Sequence, residues 1–509
     1  MTSLSMLFVR PEDAQDVETA QEPAFFADLN LDQVVAAMTR GRSEYDLIPF
    51  FYTPLHDVDA ISYRQEILKD LEHPDVLSLV DAFGRHLRLM RDQLDGAQKR
   101  YYPYQRAAWF RDAVQTYCTA VEEFGAGLMH VSLASRGLVR FRDYVNDYRR
   151  SPAFQELQGD TARLLEELAS VGYHLRLKGP RIEVYPMANS QNYSTEIKDL
   201  FRKFESPSGK QYRTKFSNAP DMNHVEAQVL ELVAKWNPEI FSHLHTYYVD
   251  RQDYLNPTIA RFDREIQFYL ALREYVDRFG EGLSFCYPQL STTSDNLWVR
   301  MGFDLSLAEK LRDEHRPIVC NDFHIDDPER ILVVSGPNQG GKTTFARMFG
   351  QVHYLASLGS LVPARAAQLL VWDQLFTHFE RREDLNTLRG KLQDDLNRIY
   401  DILQAAASRS IIIMNEIFTS TALRDAIFLS RKIMEHIIDR GALALCVTFI
   451  GELASLSERT VSMVGVVAPD DQHTRTYKVV RSPHDGVSYA LSLAEKYQVT
   501  YERIKERIK

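Results

Sequence analysis

One stretch constrains this chain more than any other. Residues 331–335, ILVVS, have strand character and run without a gap into Gly336, Pro337, Asn338, Gln339, Gly340, Gly341, Lys342, Thr343 and Thr344. That spacing fits GxxxxGK[ST]. The continuation TTFARMFGQVHYL is helix-like, so the order is strand, loop, helix. Small residues let successive backbone N–H groups turn inward onto a phosphate, and the start of the helix adds partial positive charge. Lys342 is placed to reach β- and γ-phosphate oxygens, and the Thr343 hydroxyl to ligate Mg²⁺. A bound nucleotide with Mg²⁺ is the expectation.

A nucleotide-hydrolysing site also needs a second strand that ends in polar groups. IIIM (411–414), ending in Asn415 and Glu416 about seventy residues downstream, is the candidate, because such sheets bind ligands beyond the carboxyl ends of their strands. Glu416 has the chemistry to orient and deprotonate a water. At position 415 an Asp would accept a hydrogen bond from Mg²⁺-bound water. Asn415 still accepts through its amide oxygen but supplies no negative charge.

The remaining organisation follows from periodicity and composition. A third apolar run, ALCVTF (444–449), and helix-like segments between the runs predict an α/β domain over 286–509, with a mainly parallel sheet buried on both faces. From Thr53 to about Ser170 the pattern is helical. Ser151 is a candidate N-cap before Pro152, and Phe154, Leu157, Leu164, Leu165 and Leu168 form one face. GYHLRLKGPRIEVYP (172–186) reads as two short strands around a Gly179-Pro180 turn, and helical periodicity returns from Met222 to about Arg278. The expected division is a leader of unknown role (1–50), a helical core and lever (51–173 and 221–285), a small tip (174–220) and the α/β domain (286–509).

With 509 residues a length prior gives about three domains. Sixty Lys+Arg against 70 Asp+Glu leave a formal charge of −10, which excludes a generally basic nucleic-acid coat. Residues 174–220 depart from that balance, with nine Lys/Arg against four Asp/Glu and interleaved aromatics. Arg181, Lys203, Lys210, Arg213 and Lys215 are therefore candidates for DNA phosphate contact, set against the plainer reading of a solvated charged loop. Four widely spaced cysteines indicate neither zinc nor a disulfide framework, and no apolar run approaches a membrane span, so a cytoplasmic protein without a membrane partner is expected. His243 and His245, two apart on a helix, make a poor metal pair. NDFHIDD (321–327) reads as loop or capping chemistry, and Asp394-Asp395 as a solvated helix face.

Taken together, GPNQGGKTT, LGSLVPA (358–364), MNEIFTST (414–421) and SYALSLAEKYQV (488–499) resemble the MutS family of DNA-repair ATPases. Thr53, Pro54, Leu55, Asp57, Ile61, Arg64 and Gln65 resemble the entry into that family's helical core. The resemblance implies an ABC-class ATPase domain using ATP and Mg²⁺, a helical lever with a DNA-clamping tip, and a homodimer. It also makes Ile318 and Asn321 candidates for the adenine pocket. Nothing before Thr53 is long enough for the family's mismatch-recognition and connector domains, which favours branched or distorted duplex over a single mismatch as target. The family's Asp is Asn415, its switch histidine aligns with Phe449, its signature serine with Gly390 and the arginine of its GRGT turn with Thr419. Phenylalanine cannot hydrogen-bond a γ-phosphate, and losing one preorganised donor costs ~100- to 1000-fold in rate. Slow hydrolysis is one expectation; compensation by Lys391, Arg424 or Arg382 from a neighbouring subunit is another. The rival to a DNA-binding ATPase is a nucleotide-regulated scaffold without DNA binding.

Overall fold

The three apolar runs lie side by side at the centre of a six-stranded sheet in the computed structural model, which describes residues 4–10, 17, 20–179, 181–187, 222–380, 391–419, 421–468, 471–483 and 505. The chain divides into two compact units. Met1–Asp70, Ala134–Leu138 and Arg264–Lys509 form the first; Leu71–Leu133 and Val139–Asp263 form the second.

Strands are numbered β1 to β12 along the chain. In the first unit β6 (Ile331–Ser335), β9 (Ile411–Asn415) and β10 (Leu443–Val447) are buried at every position, as strands covered on both faces must be. β10 pairs in parallel with both β6 and β9. β8 (Leu375–Phe379) adds in parallel beside β9, and β11 (Thr460–Ala468) beside β6. β12 (Asp471–Arg481) closes the other edge antiparallel to β11. A second sheet orders β3 (Gln289–Ser291), β7 (Ala366–Leu370), β4 (Leu297–Gly302) and β5 (Asn321–Ile325). The run NDFHIDD is thus mostly strand rather than loop. Phe323 and Ile325 point into the core, and Asp322 accepts a hydrogen bond from the Met301 N–H at 2.6 Å.

The helix Lys342–Ser357 is buried on almost every side. Residues expected to be a separate leader cover one of its faces. Phe25 and Phe26 make edge contacts with Tyr354, and Gln351 donates to the Leu29 carbonyl at 2.9 Å. Ser5 to Phe8 are equally buried: Tyr63 donates to the Ser5 carbonyl at 2.6 Å and Arg64 Nε to the Leu7 carbonyl at 3.0 Å. The boundaries expected at 50 and 286 therefore do not separate compact units. The described part of 1–50 belongs with the sheet, and so do Val58–Asp70 and the helix Pro257–Asp277 from Arg264 onward. The two early motifs meet in space. The Leu55 N–H donates to the Ser357 carbonyl at 2.9 Å, and Arg64 Nη1 to that of Leu358 at 3.3 Å.

Among its described residues the second unit is helical apart from one hairpin. Pro74–Lys99 and Pro103–Leu128 pack along each other, each opening on a proline whose missing N–H costs nothing in a first turn. Ser151 caps Pro152–Ser170 by accepting from the Phe154 N–H. Phe154, Leu157 and Leu164 are buried, whereas Leu165 is exposed. Phe141 stacks on Phe262 with centroids 3.7 Å apart, and Phe83 on Phe124 at 4.2 Å.

Candidate nucleotide-binding site

Backbone conformation shapes the loop after β6. Gly336 has φ +126°, Gln339 +59° and Gly341 +92°, so the chain turns repeatedly into left-handed territory, and the Gly340 N–H donates to the Pro337 carbonyl at 3.2 Å. Two glycines of the loop, Gly336 and Gly340, also sit where no side chain fits. A Cβ on Gly336 would lie 2.8 Å from the Gly465 nitrogen, and one on Gly340 2.9 Å from the Pro337 carbonyl. Gly341 precedes Lys342–Ser357 with no side-chain cap, leaving the first-turn N–H groups of the helix for a ligand.

Lys342 is only 5% exposed and donates to the carbonyls of Gly336 and Pro337, both at 3.1 Å. Burial lowers its pKa; Glu416 opposes that shift and Arg475 adds to it. Thr343 Oγ1 donates to Asn415 Oδ1 at 3.3 Å, which joins the ends of β6 and β9 as the sequence pattern requires. Just past β9, Glu416 (φ 55°) and Phe418 (φ 60°) both take left-handed backbone, and the Glu416 N–H donates to the Val447 carbonyl at 2.9 Å. This turn re-aims the half-buried Glu416 carboxylate into the cavity that Lys342 borders. Burial raises the pKa of Glu416; Lys342 pulls it back and Glu380 pushes it further up.

The cavity measures about 690 Å³. Asn338, Gln339, Gly340, Gly341, Lys342, Thr343, Thr344 and Glu416 line one part, and Leu307, Leu311, Pro317 and Val319 another. The expected cradle residues are thereby brought together, although Gly336 and Pro337 meet Lys342 behind the wall rather than lining it. Ile318 does not line the cavity; its neighbours on either side do. Asn321 lines it, but its amide is spent on structure, donating to the Tyr477 carbonyl at 3.2 Å and accepting from the Val479 N–H at 2.8 Å. Those bonds hold Tyr477 at φ 59° on the cavity wall. Neither Tyr477 nor Lys310 and Arg316, which also line the cavity, carries a signal in the sequence pattern.

Phe449 is 54% exposed, lines the same cavity, and holds its ring centroid 4.5 Å from Lys342 Nζ. Thr419 Oγ1 donates to Glu380 Oε1 at 3.0 Å, and Arg424 is exposed. Arg382, Gly390 and the Lys391 side chain lie outside the described residues. Asp395 corrects the solvated-face expectation, because its carboxylate lies 3.2 Å from the buried His378 Nε2.

The expected tip is described only in its hairpin, β1 (Tyr173–Lys178) against β2 (Arg181–Pro186), turning at Gly179 with φ +58°. Opposed residues share a face, so His174, Arg176, Lys178 and Arg181 lie on one side, and Leu175, Leu177, Ile182 and Val184 on the other. Leu177 is 75% exposed. Of the five candidate DNA contacts, Arg181 is exposed at the turn, and Lys203, Lys210, Arg213 and Lys215 lie outside the described residues. His243 is taken by Glu167 at 2.6 Å. Among the described residues no cluster of three metal-type ligands occurs, and no helix is long and apolar enough to cross a membrane.

Comparison with known proteins adds an independent line. Residues 332–507 match the family model for MutS domain V, which covers β6, the cradle, β9 and Phe449. The chain is 29% identical over 414 residues to the DNA mismatch repair protein MutS of Thermotoga neapolitana, covering 78% of this chain and 47% of that protein. It is 27% identical over 371 residues to the MutS of Chlorobium phaeovibrioides, covering 71% and 39%. To the MutS of Thermotoga maritima it is 34% identical over 140 residues, covering 28% and 18%. The chain thus spans less than half the length of these curated relatives. A domain V match placed on a cradle of this geometry, with likeness to MutS proteins over as much as 78% of the chain, makes the chain similar to the MutS family.

Proposed function

We propose that this chain binds ATP with Mg²⁺ in the cavity beneath β6 and β9, and uses nucleotide binding to switch a DNA-binding dimer that acts in DNA repair or recombination. The observation that carries the nucleotide reading is the convergence of Lys342, Thr343 and Glu416 on one cavity beside an uncapped helix start, with Asn415 bonded to Thr343. The residues fit the ligand. The uncapped first turn of Lys342–Ser357 leaves backbone N–H groups for phosphate oxygens, and the buried Lys342 ammonium donates to two carbonyl oxygens that a phosphate can replace. Thr343 and Asn415 present neutral oxygens suited to a hydrated Mg²⁺, which when bound supplies neutralisation of phosphate charge.

The chain's own residues then divide the work. The loop N–H groups and Lys342 bind and orient the phosphate chain. Glu416, with its pKa raised by burial, is a stronger base than an exposed carboxylate and accepts the proton of the attacking water. Asn415 orients without adding charge, and Phe449 offers no donor. The account therefore gives tight binding and slow hydrolysis. That same observation favours the second reading, a nucleotide-regulated scaffold in which turnover is vestigial.

DNA binding separates the two. We assign DNA contact, supported by what the relatives are named for, to the basic tip, with Arg181, Lys203, Lys210, Arg213 and Lys215 as phosphate contacts, and a homodimer as the working form. The test is affinity for branched duplex DNA as a function of salt. Several phosphate contacts give a steep loss with added salt, and Lys210→Ala, Arg213→Ala and Lys215→Ala together flatten it. A flat slope in the unaltered protein removes DNA from the account and leaves the scaffold.

A further inference from the structure

A pocket that takes a triphosphate needs hydrogen-bond donors around the last phosphate, and the Phe449 side chain on its wall offers none. Phe449 follows Thr448 at the carboxyl end of β10, between the ends of β6 and β9. Its position is pinned from both sides. The Thr448 N–H donates to the Val334 carbonyl at 3.0 Å, the Glu416 N–H to the Val447 carbonyl at 2.9 Å, and Thr448 Oγ1 accepts from the Ile450 N–H at 3.0 Å. More than half of the phenyl group is exposed, yet it is not idle surface, because it lies over the Lys342 ammonium within cation–π range. It shares the cavity wall with Glu416, the other group at the end of the phosphate chain.

A phenyl face carries negative partial charge. It attracts an ammonium and repels anionic oxygen, and it donates no hydrogen bond. A diphosphate is served by the loop N–H groups and Lys342. A triphosphate must in addition place its most highly charged group beside Lys342, against the ring. We propose that Phe449 is a specificity-determining residue that biases the site toward nucleoside diphosphate over triphosphate, by facing the terminal phosphate with an apolar, electron-rich surface. This rests on the nucleotide-binding reading above. It makes the diphosphate state the resting state of the switch.

The test is calorimetric titration of the full chain with MgADP and with the Mg²⁺ complex of the β,γ-imido analogue of ATP, in the unaltered protein, Phe449→His and Phe449→Gln. The exposure of Phe449 makes both variants compatible with folding, which thermal melting checks. The unaltered protein binds MgADP more tightly than the triphosphate analogue. Each variant supplies a donor and raises the triphosphate-to-diphosphate affinity ratio by about tenfold. If all three proteins bind MgADP and the ratio moves in neither variant, the proposal is overturned and the nucleotide reading stands. If the unaltered protein binds neither nucleotide, the nucleotide reading itself fails.

Discussion

The phosphate cradle and the hairpin Tyr173–Pro186 are both candidate binding surfaces, and they are held in opposite ways. In the cradle every group is fixed by something buried. Lys342 is tied to two carbonyls, Thr343 to Asn415, and Glu416 to the end of β10, all above strands covered on both faces. The hairpin rests mainly on its own ladder, with Leu175, Leu177 and Ile182 exposed and Arg176, Lys178 and Arg181 at the surface. A site that works by position needs the first kind of support. A surface that works by charge does not, since a cationic patch attracts a polyanion through its field without a defined geometry. The cradle is therefore sensitive to single atoms, and the hairpin only to the sum of its charges.

That contrast can be broken at either end, and the largest effect belongs to the cradle. Gly336→Val places a branched side chain at φ +126° against the Gly465 backbone, and nucleotide affinity falls by at least ~100-fold in calorimetric titration. Retained affinity there means the loop tolerates deformation and the positional account of the cradle is wrong. At the hairpin, Arg176→Ala, Lys178→Ala and Arg181→Ala each lower the slope of log affinity against log salt for duplex DNA by about one, additively and without a dominant residue. One residue that removes the whole slope makes the hairpin a positional site after all. The pH profile of hydrolysis sharpens the role of Glu416. Only the ionised carboxylate accepts a proton, and burial raises its pKa, so the rate climbs with pH through a value above that of an exposed Glu and then levels. A limb at the pKa of an exposed Glu, or none, removes Glu416 from the base role.

The smallest effect lies behind the cradle, at the fully buried His353 on the helix that the loop opens. Burial depresses its pKa from 6.5 to about 4. The unfolded chain takes up that proton below pH 6.5 and the folded chain does not until about 4. Stability is therefore complete above 6.5 and declines by at most ~1.4 kcal/mol per pH unit as pH falls through that window. His353→Phe, set as His353 is between Phe323 and Phe349 with its ring stacked on Phe323, reduces the drop in melting temperature between pH 7 and pH 5. An unchanged drop shows that other groups set the acid response.

The cradle was legible in the sequence because its chemistry lies in consecutive residues. GPNQGGKTT specifies the backbone, and the apolar runs on either side specify the strands. The hairpin was legible for a similar local reason, alternation around Gly179 and Pro180. What stayed hidden depends on partners far along the chain. Ser5–Phe8 and Phe25–Leu29 have no motif and little periodicity, and are ordered by Glu265, Tyr63, Arg64 and Tyr354. β5 looked like a loop because its Asn and Asp are turn formers, yet Asn321 uses its amide to join β12. Asp395 looked solvated because nothing local announces His378 across the helix–strand contact. Tyr477 enters the cavity only through a left-handed backbone that no tyrosine advertises.

The most direct test of the central claim is single-turnover hydrolysis of radiolabelled ATP with protein in excess, read together with bound nucleotide, in the unaltered chain, Lys342→Ala and Glu416→Gln. The account predicts tight binding and slow turnover in the unaltered chain, loss of binding in Lys342→Ala, and retained binding with turnover reduced about 100-fold further in Glu416→Gln. ATP binding that survives Lys342→Ala, or turnover indifferent to Glu416→Gln, would contradict it.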